Sequence, residues 1–313
     1  MKKSFLTLIL SGLLLSSCGG DTTLNLSLMT PVGAPAIAVY KYAKSENWEP
    51  QDQPTNIAKA FTTANKDLLV FDAINGLRQV ANNNAPYKLA KVITNGNLYM
   101  VSLNNKTKED PIASDAKIVS FGENLIPDTA VKFLYPELVS QMSYVDSAQQ
   151  AAAVVCSGLK EGGAIDYVIG AMPSIWNMMN KSDCATYGKV NIVKNIQEDM
   201  ETATGLKGIP QAGIFVLNST YETRENEVKE FLSTVKKSID KVKTKPGEVY
   251  KELSKSMTDT EINKKFGFTK QSLLASFADG ANLVGLTNEE VNINEFLRAI
   301  GVNEFDQSYF LDY

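Results

Sequence analysis

"LNLSLMTPVGAPAIAVYKYAKSE", residues 24 to 46, holds in one line the unit from which the fold is built. Leu24, Leu26 and Leu28 recur in period two, the pattern of a strand with one buried face. "PVGAP", with two prolines and a glycine, then breaks the strand. "AIAVYKYAKSE" continues as a helix. The same unit recurs downstream. "DLLVFDAING" is a short apolar run of the kind that makes a strand buried on both faces, and "GLRQVANNN" follows as a short helix. Strands alternating with helices build parallel layers, so the fold class is α/β.

Further along, "LAKVITNGNLYMVSLNN" gives two extended runs around Asn95-Gly96, a dipeptide suited to a tight turn. "KIVSFGENLIPDTAVKFLYPEL" opens a second strand-helix series, with Pro127 in the first turn of its helix and Asp128 and Thr129 near the amino end. "QMSYVDSAQQAAAVVCSGLKEGG" reads as strand, then Asp146 or Ser147 as cap, then helix. "AIDYVIGAMP" is again a strand, and "SIWNMMNKS" a helix with Ser174 expected as its N-cap. "AGIFVLN" is the last clear strand. Beyond it the chain is almost wholly helical, beginning with Val228, Phe231, Leu232, Val235 and Ile239 at helical spacing. Trp48 is expected on the surface and Trp176 between layers. A length of 313 residues fits two lobes better than one.

The first seventeen residues carry Lys2 and Lys3, an apolar run from Phe5 to Leu15, then Ser16 and Ser17, the layout of a secretory signal. A helix that spans a bilayer needs about twenty apolar residues, and this run is shorter. Leu15, Ser16, Ser17 and Cys18 resemble a bacterial lipobox, which implies cleavage before Cys18 and acylation of its thiol. Two or more acyl chains anchor firmly. The expected product is a soluble body tethered by residues 18–23 to the outer face of a bacterial membrane, periplasmic or at the cell surface. An ordinary signal peptide that ends near a cysteine is the plainer alternative.

Loss of Lys2 and Lys3 with such a leader moves the formal charge from −4 to −6. A mildly acidic body without a long basic run is a poor partner for nucleic acid, and membrane contact is expected through the lipid anchor only. The chain has no histidine. That excludes a Ser-His-Asp triad, a Cys-His dyad and imidazole zinc sites. No metal, cofactor or catalytic site is expected. Cys156 lies in a helical run and Cys184 in a loop. Outside the cytoplasm they can form a disulfide, or they can stay two small buried hydrophobes.

Four blocks in order resemble a known family: "LSLMTPVGAPAIAVYKYA"; "LLVFDAINGLRQV" with "KLAKVITNGNLYMVS"; "KIVSFGENLIPDTAVKFLYPEL"; and "AIDYVIGAMPSIWNMM" with "GIPQAGIFVLN". Together, behind a lipobox, they are similar to type II periplasmic solute-binding lipoproteins of ABC importers, in the broad sulfonate, nitrate and thiamine-precursor group. The resemblance implies a two-lobed fold, each lobe a mainly parallel sheet flanked by helices, with a helical C-terminal region. It places lobe I at 24–100 plus 213–313 and lobe II at 101–212. Crossing segments are then expected near Tyr99 to Asn104 and near Pro210 to Leu217. The implied partners are a small-molecule solute, an ABC permease and its ATPase, and the protein is expected to be monomeric.

In open α/β sheets, ligands sit beyond the carboxyl ends of strands, where loops enter helix amino ends. The candidate ligand-binding residues are therefore Thr30, Pro31, Val32, Gly33 and Ala34; Phe71, Asp72, Ala73 and Asn75; Asn95, Gly96, Asn97 and Tyr99; Gly122, Glu123 and Asn124; and Gly170, Ala171 and Met172. Asp72 also reads as a plain helix cap. Gly33, Gly122 and Gly170 also read as turn residues. No arginine falls in these loops, Arg78 being inside a helix. An arginine clamp for an oxyanion is thus unsupported. Asp72 and Glu123, beside Phe71 and Tyr99, lean toward a thiamine precursor or other heterocyclic amine, with an anionic solute as runner-up. An enzyme on the same fold is disfavoured by the missing histidine. A surface interaction protein or adhesin, using the fold without transport, is the alternative function.

Overall fold

The computed structural model describes residues 24–312, so the expected signal peptide and Cys18 lie outside the described residues. The opening unit forms as its pattern dictates. Leu24, Leu26 and Leu28 are all buried, and β1 (Leu28–Pro31) turns into α1 (Ala34–Ala38). That helix is shorter than expected because Val39 leaves helical geometry and the chain tightens into a 3-10 turn at Tyr40–Tyr42.

The first lobe continues with β2 (Trp48–Gln51), α2 (Pro54–Thr63), β3 (Leu68–Asp72), α3 (Ala73–Asn83) and β4 (Tyr87–Val92). The second contains β5 (Leu98–Ser102), β6 (Ile118–Phe121), α4 (Ile126–Leu134), β7 (Met142–Val145) and α5 (Ala148–Glu161). It then runs through β8 (Tyr167–Ala171), α6 (Ser174–Met179), α7 (Ser182–Ala185), β9 (Asn191–Asn195) and α8 (Ile196–Thr204). β10 (Ala212–Leu217) returns to the first sheet. It is followed by α9 (Asn218–Thr244), α10 (Pro246–Leu253), α11 (Asp259–Phe266), α12 (Lys270–Ala275) and α13 (Ile293–Ala299).

The two sheets repeat one layout, β2-β1-β3-β10-β4 and β7-β6-β8-β5-β9. β1 is parallel to β2 and β3, and β6 is parallel to β7 and β8. β10 is antiparallel to both its neighbours, and so is β5. Each sheet is thus mainly parallel with one reversed strand. In both cases the reversed strand is the first one laid down after the chain arrives from the other sheet.

The crossings differ from expectation. Asn95-Gly96 is not a hairpin turn, because β4 and β5 belong to different sheets. The chain changes sheets at 93–97 and 205–211, ahead of the expected Tyr99–Asn104 and Pro210–Leu217, so a lobe boundary at residue 100 falls inside β5. The two crossings bond to each other. Gly96 N donates to Ile209 O (2.8 Å), Gln211 N to Thr94 O (2.9 Å) and Ala212 N to Thr94 Oγ1 (2.8 Å). Asn95 N donates to Gly285 O at 2.7 Å. Gly285 has φ 65°, and a Cβ there would lie 2.2 Å from Gly96 O, so only glycine allows this approach.

Two edge strands had weak signals. β2 contains Pro50, tolerated because it has a neighbour on one side only. β9, "NIVKN", pairs with β5 alone. Trp48, expected on the surface, is buried instead. Its indole N–H donates to Thr30 Oγ1 at 3.0 Å and its ring stacks on Phe266 at 5.1 Å. An indole with a partner for its N–H is favoured inside. Ser174, expected as N-cap, is the first helical residue of α6, and Pro173 takes the cap position. Ser147 caps α5, accepting from Gln150 N.

Cys156 of α5 and Cys184 of α7 form a disulfide, with Cα atoms 5.0 Å apart and a sequence separation of 28. A closed loop of that length restricts the unfolded chain, which stabilises the fold by roughly 3–4 kcal/mol. Replacing both cysteines with serine should lower the urea unfolding free energy by about that amount. Unchanged unfolding would show that the cross-link contributes nothing.

Candidate functional site

The site is built where the carboxyl ends of the two sheets face each other. An inner cavity of about 140 Å³ is lined from the first lobe by Pro31, Val32, Gly33, Ala34, Phe71 and Asp72, and from the second by Phe121, Leu125, Ala171 and Met172. Both crossings contribute as well, through Thr94, Asn97 and Gln211. Val32, Asp52, Gln149 and Ser174 also line a wider cleft of about 1060 Å³, whose walls include Trp176, Asn177, Lys181 and Lys264. Trp176, expected between layers, is half-buried in that wall.

Local packing holds these groups in place. Phe71 packs on Phe61 at 5.6 Å, and Phe61 meets Tyr87 and Phe215 at 5.2 and 5.0 Å, which fixes the end of β3. Gly76 lets α3 settle on β10, because a Cβ there would lie 2.1 Å from the Phe215 ring. α3 therefore starts at a defined height above the sheet. Asp72 is its N-cap, with Oδ1 accepting from Asn75 N at 2.9 Å. The other carboxylate oxygen accepts from Ile126 N, in the opposite lobe, at 3.2 Å. Arg78 Nη1 donates to Asn124 O across the same gap at 2.9 Å. On the other side, Asn177 Nδ2 donates to Gly267 O at 2.9 Å. The lobes touch on both flanks of the cavity.

Burial between the lobes pushes the Asp72 carboxyl up to about 6, although its two backbone N–H bonds and Arg78 pull the other way. Its residual solvent contact is partial. Asn97 is buried with φ 132°, an unusual conformation for a residue with a side chain. Gln197 Oε1 accepts from the N–H groups of Asn97 and Leu98 at 3.0 and 2.8 Å and holds the backbone there. Asn97 Oδ1 and Gln211 Nε2 are buried without a partner in the chain. One is an acceptor and the other a donor, both in the cavity lining.

Of the expected site residues, Pro31, Val32, Gly33, Ala34, Phe71, Asp72, Asn97, Ala171 and Met172 line the inner cavity. Thr30 is fully buried and partners Trp48, and Ala73 lies behind Asp72 as a core residue. Asn75 serves the Asp72 cap. Asn95 and Gly96 carry crossing bonds. Tyr99 is buried in β5 and away from the lining. Gly122, Glu123 and Asn124 form the loop that Arg78 touches, with Glu123 exposed outside the lining. Gly170 makes room for Ile175, which a Cβ would approach to 2.5 Å. Sequence reading missed Thr94, Gln211, Phe121, Asp52 and Gln149. Arg78, set aside as a helix residue, is a lobe-to-lobe contact. The described residues contain no group of three or more His, Cys, Asp or Glu able to hold a metal ion, and no helix long and apolar enough to cross a membrane.

Two repeated α/β sheets joined by paired crossings, with a cavity at their facing carboxyl ends, define the two-lobed type II periplasmic-binding-protein fold. Solved structures share it. An ABC transporter protein of Parabacteroides distasonis is 13% identical, covers 92% of this chain and 99% of its own, and superposes with a TM-score of 0.63. The ligand-binding component of an ABC-type import system from Staphylococcus aureus, with zinc bound, is 12% identical over 92% and 96%, TM-score 0.62. The periplasmic aliphatic sulphonate binding protein of Escherichia coli is 15% identical over 88% and 90%, TM-score 0.58. No family model and no curated protein sequence matches the chain.

The raised Asp72 value has a pH consequence of fixed sign. An unfolded or open Asp72 titrates near 3.9, so the closed fold binds its proton more tightly, is favoured below about pH 4, and loses that advantage as the pH rises through 6. Urea titrations should show wild type losing roughly 2 kcal/mol relative to Asp72→Asn between pH 4 and 7. Parallel pH profiles for the two proteins would contradict the assignment.

Proposed function

We propose that this protein is the substrate-binding component of an ABC-type importer. It captures a small organic solute in the interlobe cleft and presents it to a membrane permease driven by its ATPase. The observation that carries this reading is the pair of buried, unpartnered amide ends, Asn97 Oδ1 and Gln211 Nε2, one on each crossing and each belonging to a residue of the cavity lining. Buried polar groups normally find partners, so a polar amide with none marks where a ligand hydrogen bond belongs. Their position on the crossings couples ligand contact to the angle between lobes. Solved neighbours, one named as an ABC transporter and one as the ligand-binding component of an ABC-type import system, support the same reading.

A neutral or cationic solute fits the lining better than an anion. The inner cavity carries the carboxylates of Asp52, Asp72 and Asp146, and among the described residues no lysine or arginine lines it. Phe71, Phe121 and Met172 supply apolar surface for a ring. A heterocyclic amine, such as a thiamine precursor, matches that chemistry better than the sulphonate named for the E. coli neighbour. We take the protein to be a binder and not an enzyme, acylated at Cys18 and monomeric on the outer face of a bacterial membrane.

Residues 19–313, purified from a host grown in rich medium, should show in a native mass spectrum a discrete extra mass that is absent after denaturation. With that solute, Asn97→Ala and Gln211→Leu should each raise Kd about 5- to 30-fold, the worth of one or two kcal/mol for a lost buried hydrogen bond. A clean apo mass, together with no thermal stabilisation across a broad metabolite screen, would favour the surface-interaction alternative.

A further inference from the structure

We propose that Asp72 is a tethered anion. Its carboxylate reaches across the cleft to the amino end of α4, holding the lobes together and denying that helix end to an oxyanion of the solute. The proposal rests on the reading of the cleft as a solute site, and it names the residue that sets the sign of charge accepted there.

A helix amino end is a ready anion site because its first N–H groups have no partner within the helix. At α4 the donors are few. Leu125, at the cap position, has no side-chain cap bond, and Pro127, the second helical residue, has no N–H. Asn124 N is taken by Asp128 Oδ2 at 2.8 Å, and Asp128 is buried. Ile126 N–H is the donor that faces the cleft, and Asp72 Oδ2 accepts from it at 3.2 Å. The same carboxylate caps α3 through Asn75 N at 2.9 Å. One side chain thus serves two helices that belong to different lobes. An incoming oxyanion would have to displace Asp72 or sit beside its carboxylate, since the Asp128 charge is already paired with Lys132 at 2.7 Å and, among the described residues, no lysine or arginine is in the inner lining. Arg78 lies outside the inner lining, and its Nη1 is turned to Asn124 O and Asn75 Oδ1 at 2.9 and 3.3 Å.

Removing the charge while keeping the cap should convert the site. Asn at 72 retains the shape and remains a good N-cap for α3, and Ser does the same at smaller size. We would titrate wild type, Asp72→Asn, Asp72→Ser and Arg78→Met with methanesulfonate at neutral pH by calorimetry, after checking each fold by circular dichroism. Wild type should bind methanesulfonate weakly or not measurably, and the two Asp72 variants should bind it with a Kd at least about tenfold below the weakest affinity the wild-type titration can detect. Arg78→Met, which loosens the lobe contact without freeing Ile126 N–H, should show no gain. Wild-type binding as tight as that of the variants, or folded Asp72 variants that gain nothing, would overturn the proposal. Failure of the solute-site reading is distinguishable, because it is read from the native mass of wild type without any added anion.

Discussion

One carboxylate bridges the two lobes at the cavity, beside the Arg78–Asn124 and Asn177–Gly267 contacts. Asp72 sits at the junction of β3 and α3 and accepts one backbone N–H from its own lobe and one from the other. The groups around it set the balance of a carboxyl that keeps only partial contact with solvent. Two N–H bonds and the Arg78 guanidinium favour its charged form, burial opposes it, and burial wins, leaving the carboxyl at about 6. A buried charge that is incompletely compensated favours a positive partner. The cavity beside Asp72 is where such a partner fits.

The second constraint is topological. Each sheet contains one reversed strand, β10 or β5, that begins just after a crossing, so the two crossings lie side by side and bond to each other. That pairing, with Gly285 against Gly96, gives the lobes a short shared spine. Asn97 and Gln211 stand on the spine itself. On the proposed function, a solute that bonds them would touch the segment that joins the lobes, which is how binding would be linked to closure.

Much of this was legible in the sequence. Leu24, Leu26 and Leu28 announced a half-buried strand, and "LLVFD" and "YVIGA" were apolar runs too short for anything but buried strands. The loops after those strands supplied Val32, Gly33, Phe71, Asp72, Ala171 and Met172, because strand ends can be located from composition alone. Thr94 and Gln211 escaped because their role depends on where the chain changes sheets, and Asn95-Gly96 reads equally well as a hairpin. Tyr99 was misplaced for the same reason, since β5 begins at Leu98 and carries it into the packed sheet. Trp48 was misjudged because β2, a four-residue edge strand with a proline, has almost no sequence signal. The reach of Arg78 and the second bond of Asp72 are contacts between lobes, which no local pattern encodes.

The backbone amide of Ile126 reports the central interaction directly. In a nitrogen-15-labelled sample without added solute, its proton should exchange slowly, and its chemical shift should move with pH around an inflection near 6, the value for Asp72. An Ile126 amide that exchanges like an open loop and shows no inflection in that range would mean that Asp72 does not bridge the lobes, and the account built on it would fall.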